Sequence, residues 1–194
     1  MTVAAIILAA GQGTRFGAEP KLLALFRGKL LVRHVTEAAC SSRATPVIVV
    51  TGHRRTEVEA ALAELPVQIV RNLHFAEGLS ASVKAGFAAL PSRAEAAIVL
   101  LGDMPRVSAT LLDTLIGAWL ENDRPSAVVP IFNGQRGNPV LLSGALRDDV
   151  ARLSGDVGAG PMLRTRPDVL ELPVSDPAVL YDVDKPADLV APDR

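Results

Sequence analysis

The sequence predicts a single α/β domain with a mostly parallel sheet and a mixed second half. Three observations carry that prediction. Apolar runs of strand length alternate with stretches of helical period from residue 3 to residue 105. Those runs are apolar throughout rather than at every second position, as strands are when helices cover both faces of a parallel sheet. After Pro105 the rhythm changes, and Asn133-Gly134 between two apolar runs reads as a two-residue hairpin turn.

The elements follow in order. Residues 3–10, VAAIILAA, form the first strand, and a glycine-rich loop, LAAGQGTRFG over 8–17, closes it. A helix follows around residues 30–42. Residues 45–52, TPVIVVTG, are a second buried strand, followed by a helix over 55–65 whose Val58, Ala61, Leu62 and Leu65 share one face. VQIVRN, 67–72, is a third strand, and SASVKAGFAAL, 80–90, a third helix. AAIVLLGDMP, 96–105, is a fourth strand that stops abruptly at Gly102-Asp103. The helix over 108–120 places Trp119 among Leu112, Leu115 and Ile116, as a core residue. The hairpin runs from AVVPIF to QRGNPVLL, and a further helix precedes GDVGAGPML. VLELPV and LYDVDKPADL then read as strands near the end of the chain, with Asp182 and Asp184 alternating with apolar residues.

The totals exclude several classes. With 194 residues, 49% hydrophobic and 21% charged, the chain fills one core. The net charge of −1, with no block of like charge, offers neither a nucleic-acid stripe nor a polybasic membrane patch. A local basic pocket for a phosphorylated small molecule stays open. The one cysteine, Cys40, leaves no intrachain disulfide and no thiolate cluster, and reads as a plain buried or half-buried thiol. The first apolar run lacks a basic flank and is too short to span a bilayer, so a cytoplasmic setting is the default. His34, His53 and His74 lack metal spacing and a nucleophile partner.

The glycine loop fits neither common phosphate template. Gly11, Gly13 and Gly17 are spaced one residue too wide for the dinucleotide fingerprint, and the second strand ends in THR-GLY-HIS-ARG-ARG order without a carboxylate. The Gly-Lys-Ser/Thr of a P-loop is missing as well. The loop does carry Arg15, and Lys21 follows closely. Glycines let backbone N–H groups approach phosphates, and the two cations add full charges near the same oxygens. A triphosphate, whose negative charge grows on a leaving pyrophosphate, suits that combination.

Ligands of open α/β sheets sit outside the carboxyl ends of the strands. The glycine loop, Asn72 and Asp103 all fall at such ends. A carboxylate closing an apolar strand is costly unless it is paired or holds a metal, which makes Asp103 the first candidate for Mg²⁺. One of Asp182 and Asp184 is the candidate second ligand, with Asp184 favoured; the alternative for Asp184 is to cap a turn before Pro186. Ser80 and Ser82, at a helix start, are candidates for a base, ribose or phosphate, with plain capping as the alternative. No Gly-x-Ser-x-Gly elbow is present, so covalent catalysis is not expected.

Taken together, LAAGQGTRFG, Lys21 in KLL, NLHFAEGLSASVKAG, LLGDMP, RGNPVLL, GDVGAGPML and YDVDKPADL, in that order, resemble the MobA-like nucleotidyltransferase family. The resemblance is nearest to its molybdenum cofactor cytidylyltransferases. It implies a Rossmann-like, three-layer nucleotidyltransferase fold over 1–194, with a nucleotide-binding half at 1–105 and an acceptor-binding half at 106–194. It implies nucleotide-binding roles for Leu8, Ala9, Ala10, Gly11, Gly13, Thr14, Arg15 and Lys21, and a base-selecting role for Gly78, Leu79, Ser80 and Ser82. Asp103 matches the family's magnesium aspartate. LAAG and EGLSASV resemble the branch that uses CTP. Asn138 stands where the family often has His, and Gly160 where Arg is common, both in the acceptor half.

The reading that follows is an Mg²⁺-dependent cytidylyltransferase, with Arg15, Lys21 and Asp103 as catalytic residues and a molybdopterin-type acceptor. A guanylyltransferase and a transferase for another phosphorylated acceptor stay open. So do an accessory protein serving a molybdenum hydroxylase or its chaperone, and an oxidoreductase on the same fold.

Overall fold

The computed structural model describes residues 2–17 and 19–190; Met1 and 191–194, the ends of the expected domain, lie outside them. Its centre is β1 (Thr2–Ala9), apolar from Val3 onward because helices cover it on both sides. Ala5, Ile7 and Ala9 face one layer with α1 (Leu31–Cys40) and α4 (Ala109–Glu121), while Ala4, Ile6 and Leu8 face the other with α3 (Leu79–Ala88) and α5 (Arg147–Ala151). The sheet's two-residue side-chain period thus feeds two cores.

One sheet runs in the order β10 (Val169–Pro173), β7 (Ala127–Phe132), β9 (Val140–Ser143), β6 (Ala94–Leu101), β1, β4 (Val47–Thr51), β5 (Gln68–Arg71), and β8 (Gln135–Arg136) adds to β7. All pairs along the β6-β1-β4-β5 stretch are parallel, as is β10 with β7; β9 runs antiparallel to both its neighbours. This is an α/β fold with a mixed, mostly parallel sheet. The hairpin turns at Asn133 and Gly134, both at positive φ, and pairs Phe132 with Gln135. A separate two-strand ribbon, β2 (Leu25–Phe26) with β3 (Lys29–Leu30), leads into α1, and α6 (Gly160–Arg164) follows α5.

The chain leaves β1 for β4 on one side and returns to it from β6 on the other. That reversal opens a crevice at the carboxyl ends of the strands. Trp119 is fully buried, and its indole N–H donates to the Pro125 carbonyl at 3.0 Å. Cys40 is half-buried, and burial pushes its thiol up.

Two expectations are corrected. The second helix, α2 (Arg55–Ala61), stops before Leu65, which still packs on the core from the turns beyond it. LYDVDKPADL is not a strand: 177–180 and 186–190 are 3-10 turns, and the residues between them pair with no strand. The Val183 N–H is spent on the Asp103 carbonyl at 3.0 Å, and Pro186 has no N–H to offer a ladder.

Candidate active site

The loop after β1 begins at the rim of that crevice. Residues 14–16 make one 3-10 turn, entered through Gly13 at φ 60, and a side chain at Gly13 would lie 3.0 Å from the Lys21 Cβ. The glycine thus lets Lys21 lie flat under the loop. A second 3-10 turn, Lys21–Leu23, starts after Pro20 and aims the ammonium across the sheet ends toward β6.

There Lys21 Nζ donates to Asp103 Oδ2 at 2.6 Å and to Asp184 Oδ1 at 3.1 Å. Arg15 Nη1 reaches the other Asp184 oxygen at 3.2 Å. Burial pulls the Lys21 ammonium down, but Asp103 and Asp184 outweigh it and hold the amine above its ordinary value. The Lys21 hydrogen bond, with Arg15 beside it, holds the Asp184 carboxyl below the usual range.

Val183 is fully buried, so the alternating chain around it turns both Asp182 and Asp184 toward Asp103. One carboxylate oxygen from each of the three lies within 4.8 Å of the others. Burial, then the like charges of Asp103 and Asp184, push the Asp182 carboxyl up. Asp103 Oδ1 is buried with no hydrogen-bond partner among the described residues. A hard divalent cation is held by oxygen ligands of this kind, so the carboxylate set fits one. Asp184 does not cap the turn that follows: the Asp188 carboxylate accepts the Asp184 and Lys185 N–H groups at 2.9 and 2.8 Å.

A cavity of about 550 Å³ collects most of the expected residues. Leu8, Ala10, Gly11, Gly13, Thr14, Arg15, Lys21, Gly78, Leu79, Ser82, Asp103 and Asp184 line it. Ala9, Asn72 and Ser80 do not, and each is buried behind the wall. Asn72 instead supports Ser82, donating from Nδ2 to its hydroxyl at 3.1 Å, while its Oδ1 accepts from His74 N at 2.9 Å. The first amides of α3 are not free for a ligand either: Leu79 N–H donates to Asp156 Oδ1 at 3.1 Å and Ser80 N–H to the Gly155 carbonyl at 3.3 Å.

Sequence reasoning missed His53, Arg54, Phe75 and Asp156, which also line the cavity. His53 and Arg54 follow a strand end, a signal that was available. Asp156 lies in the GDVGAGPML stretch, expected in the acceptor half, and its hydrogen-bond partner Leu79 is 77 residues away in the chain.

The model of the MobA-like NTP transferase domain matches residues 5–170. Among curated relatives, nicotine blue oxidoreductase of Paenarthrobacter nicotinovorans is 32% identical over 188 residues, 94% of this chain and 92% of that protein. Molybdenum cofactor cytidylyltransferase of Escherichia coli K12 is 34% identical over 142 residues, 71% of this chain and 68% of that protein. Among solved structures, Rv0371c of Mycobacterium tuberculosis H37Rv superposes with a TM-score of 0.85 at 27% identity, covering 97% of this chain and 95% of that one. No helix among the described residues is long and apolar enough to cross a membrane.

Proposed function

The chain belongs to the MobA-like NTP transferase family, and we propose that it transfers CMP from CTP to a terminal phosphate of a molybdopterin-type acceptor, releasing pyrophosphate. The observation that carries this reading is the alternating chain Arg15–Asp184–Lys21–Asp103 in the cavity at the sheet ends. Two cations stand ready for phosphate oxygens, and three carboxylates with one orphaned oxygen suit a divalent metal. The likeness to the Escherichia coli cytidylyltransferase supports CTP.

An acceptor phosphate oxygen attacks the α-phosphorus in line; the new P–O bond forms as the bond to the bridging oxygen breaks, and pyrophosphate leaves. The acceptor is already anionic, so no protein nucleophile and no general base are required. The chain contributes positioning and charge stabilisation. The Gly11–Arg15 loop presents N–H groups to the phosphates, and Arg15 and Lys21 counter the charge that builds on the leaving group. Asp103 and Asp184, with Asp182 beside them, would hold Mg²⁺, which would supply neutralisation of the phosphates' negative charge. Residues 1–105 supply most of the nucleotide's end of the cavity, with Asp156 and Asp184 joining them from 106–194, the half that also serves the acceptor.

Thermal stabilisation by each NTP with Mg²⁺, in wild type and Asp103→Asn, tests this. A ligand at about a hundred times its dissociation constant adds roughly 2.7 kcal/mol. CTP should stabilise the wild type in a metal-dependent way and do so weakly in the variant. GTP winning would move the chain to a guanylyltransferase, and no response to any NTP would sink the transferase reading. Cofactor delivery that survives Asp103→Asn would instead support an accessory protein.

The likeness to nicotine blue oxidoreductase over 94% of the chain favours a second reading, an oxidoreductase. The missing carboxylate after β4, where His53 and Arg54 follow Gly52, counts against NAD. The same melts run with NADH and NADPH separate the two.

A further inference from the structure

The cavity has a charged end and a quiet end, and the sheet order sets the distance between them. Asp103 closes β6, the glycine loop closes β1 and His53 follows β4, so Asp103 and His53 stand two strands apart. At about 4.8 Å per strand that is roughly 10 Å. Phosphates seated at Lys21 and Asp103 therefore put a nucleotide's base at the far end. Phe75, whose ring lies 6.1 Å from that of His53, lines that end, and Leu79, four residues on, and Asp156, bonded to it, line the same cavity.

We propose that Asp156 discriminates cytosine from uracil at this end of the cavity, accepting a hydrogen bond from cytosine's exocyclic amino group. This rests on the transferase reading above. The carboxylate is fixed in place rather than left waving on its loop. Its Oδ1 takes the Leu79 N–H at 3.1 Å, and the Gly155 carbonyl takes the next amide of α3. The loop can approach this closely because Gly78 has no side chain: a Cβ there would lie 2.8 Å from the backbone of Gly155 and Asp156, and its φ is 104. That hydrogen bond leaves Oδ2 unengaged by Leu79, and the residue, exposed to solvent, lines the cavity.

An ionised carboxylate only accepts. Cytosine presents an amino donor at the position where uracil presents a carbonyl acceptor, so the same contact that welcomes CTP sets two acceptors against each other with UTP. A hydrogen bond to a charged group corresponds to about a tenfold to hundredfold preference.

The test is the affinity of CTP and UTP, each with Mg²⁺, for wild type, Asp156→Asn and Asp156→Ala. Asn keeps an oxygen for the Leu79 N–H and replaces the other acceptor by a donor, so helix capping survives while the selecting atom changes. The wild type should favour CTP at least about tenfold. Asp156→Asn should bring the two affinities together, partly by a gain in UTP affinity that a merely structural defect cannot produce. Asp156→Ala should lose the preference without that gain. A wild type that binds both alike, or an unchanged ratio in Asp156→Asn, overturns the assignment. A wild type that binds no nucleotide overturns the transferase reading itself.

Discussion

Lys21 Nζ lies 2.6 Å from Asp103 Oδ2, and both side chains are largely enclosed, at 13% and 17% exposure. The ammonium is thus the counter-ion that lets three carboxylates share one end of the cavity. Lys21→Met removes it and leaves their repulsion uncompensated. The variant should lose about 1–3 kcal/mol of stability in EDTA. Mg²⁺ should restore more stability to it than to the wild type, because the cation then does the work of the lysine. Urea melts with and without metal check this; a variant as stable as wild type in EDTA would falsify the counter-ion role.

Asn72 is buried and holds Ser82 against the cavity wall. In Asn72→Ala the Ser82 hydroxyl and the His74 N–H both lose a partner, at a cost of about 1–3 kcal/mol. Nucleotide affinity should weaken while the rate at saturation holds, since the chemistry lies at the other end of the cavity. A fall in the saturated rate with unchanged affinity would contradict this.

Glu59 on α2 ties two strand ends together. It accepts from Arg71 at 2.8 and 3.1 Å and from the Thr51 hydroxyl at 3.0 Å. The Arg71 hydrogen bonds hold its carboxyl below the usual value of 4.5. A lowered folded value stabilises the protein above 4.5, and the gain is lost as pH falls through that folded value. Arg71 is well exposed, so the effect is below about 1 kcal/mol. Glu59→Gln should melt slightly lower near neutrality, and the gap should close as the pH is taken down. A gap that widens in acid would contradict the assignment.

Leu115 is fully buried on α4 in the layer with Trp119. Leu115→Ala should cost about 2–5 kcal/mol through lost burial and a residual cavity. Denaturant unfolding followed by Trp119 fluorescence should show a lower midpoint with an unchanged slope.

Much of the layout was legible in the linear order of residues. Strand-length apolar runs identified β1, β4 and β6, because a strand buried on both faces admits almost no polar side chain. The Asn133-Gly134 turn was legible because few residues take positive φ at both central positions. Asp103 stood out because charge at the end of an apolar strand needs a reason, and Arg15 and Lys21 because two cations stand close to a glycine loop. The fate of 180–185 was not legible. Its alternation looks like a strand, but the Val183 N–H bonds to the Asp103 carbonyl, and that choice depends on a loop about eighty residues earlier.

The sequence by itself determined the layered α/β fold and the strand ends at which a site forms, since both follow from local periodicity and from the cost of burying charge. Only the tertiary structure decided which polar groups face the cavity. It set Asn72 behind Ser82, brought Asp182 to Asp103 alongside Asp184, and laid Asp156 on the start of α3. Those outcomes turn on hydrogen bonds and packing between segments far apart in the chain, which no local pattern of residues encodes.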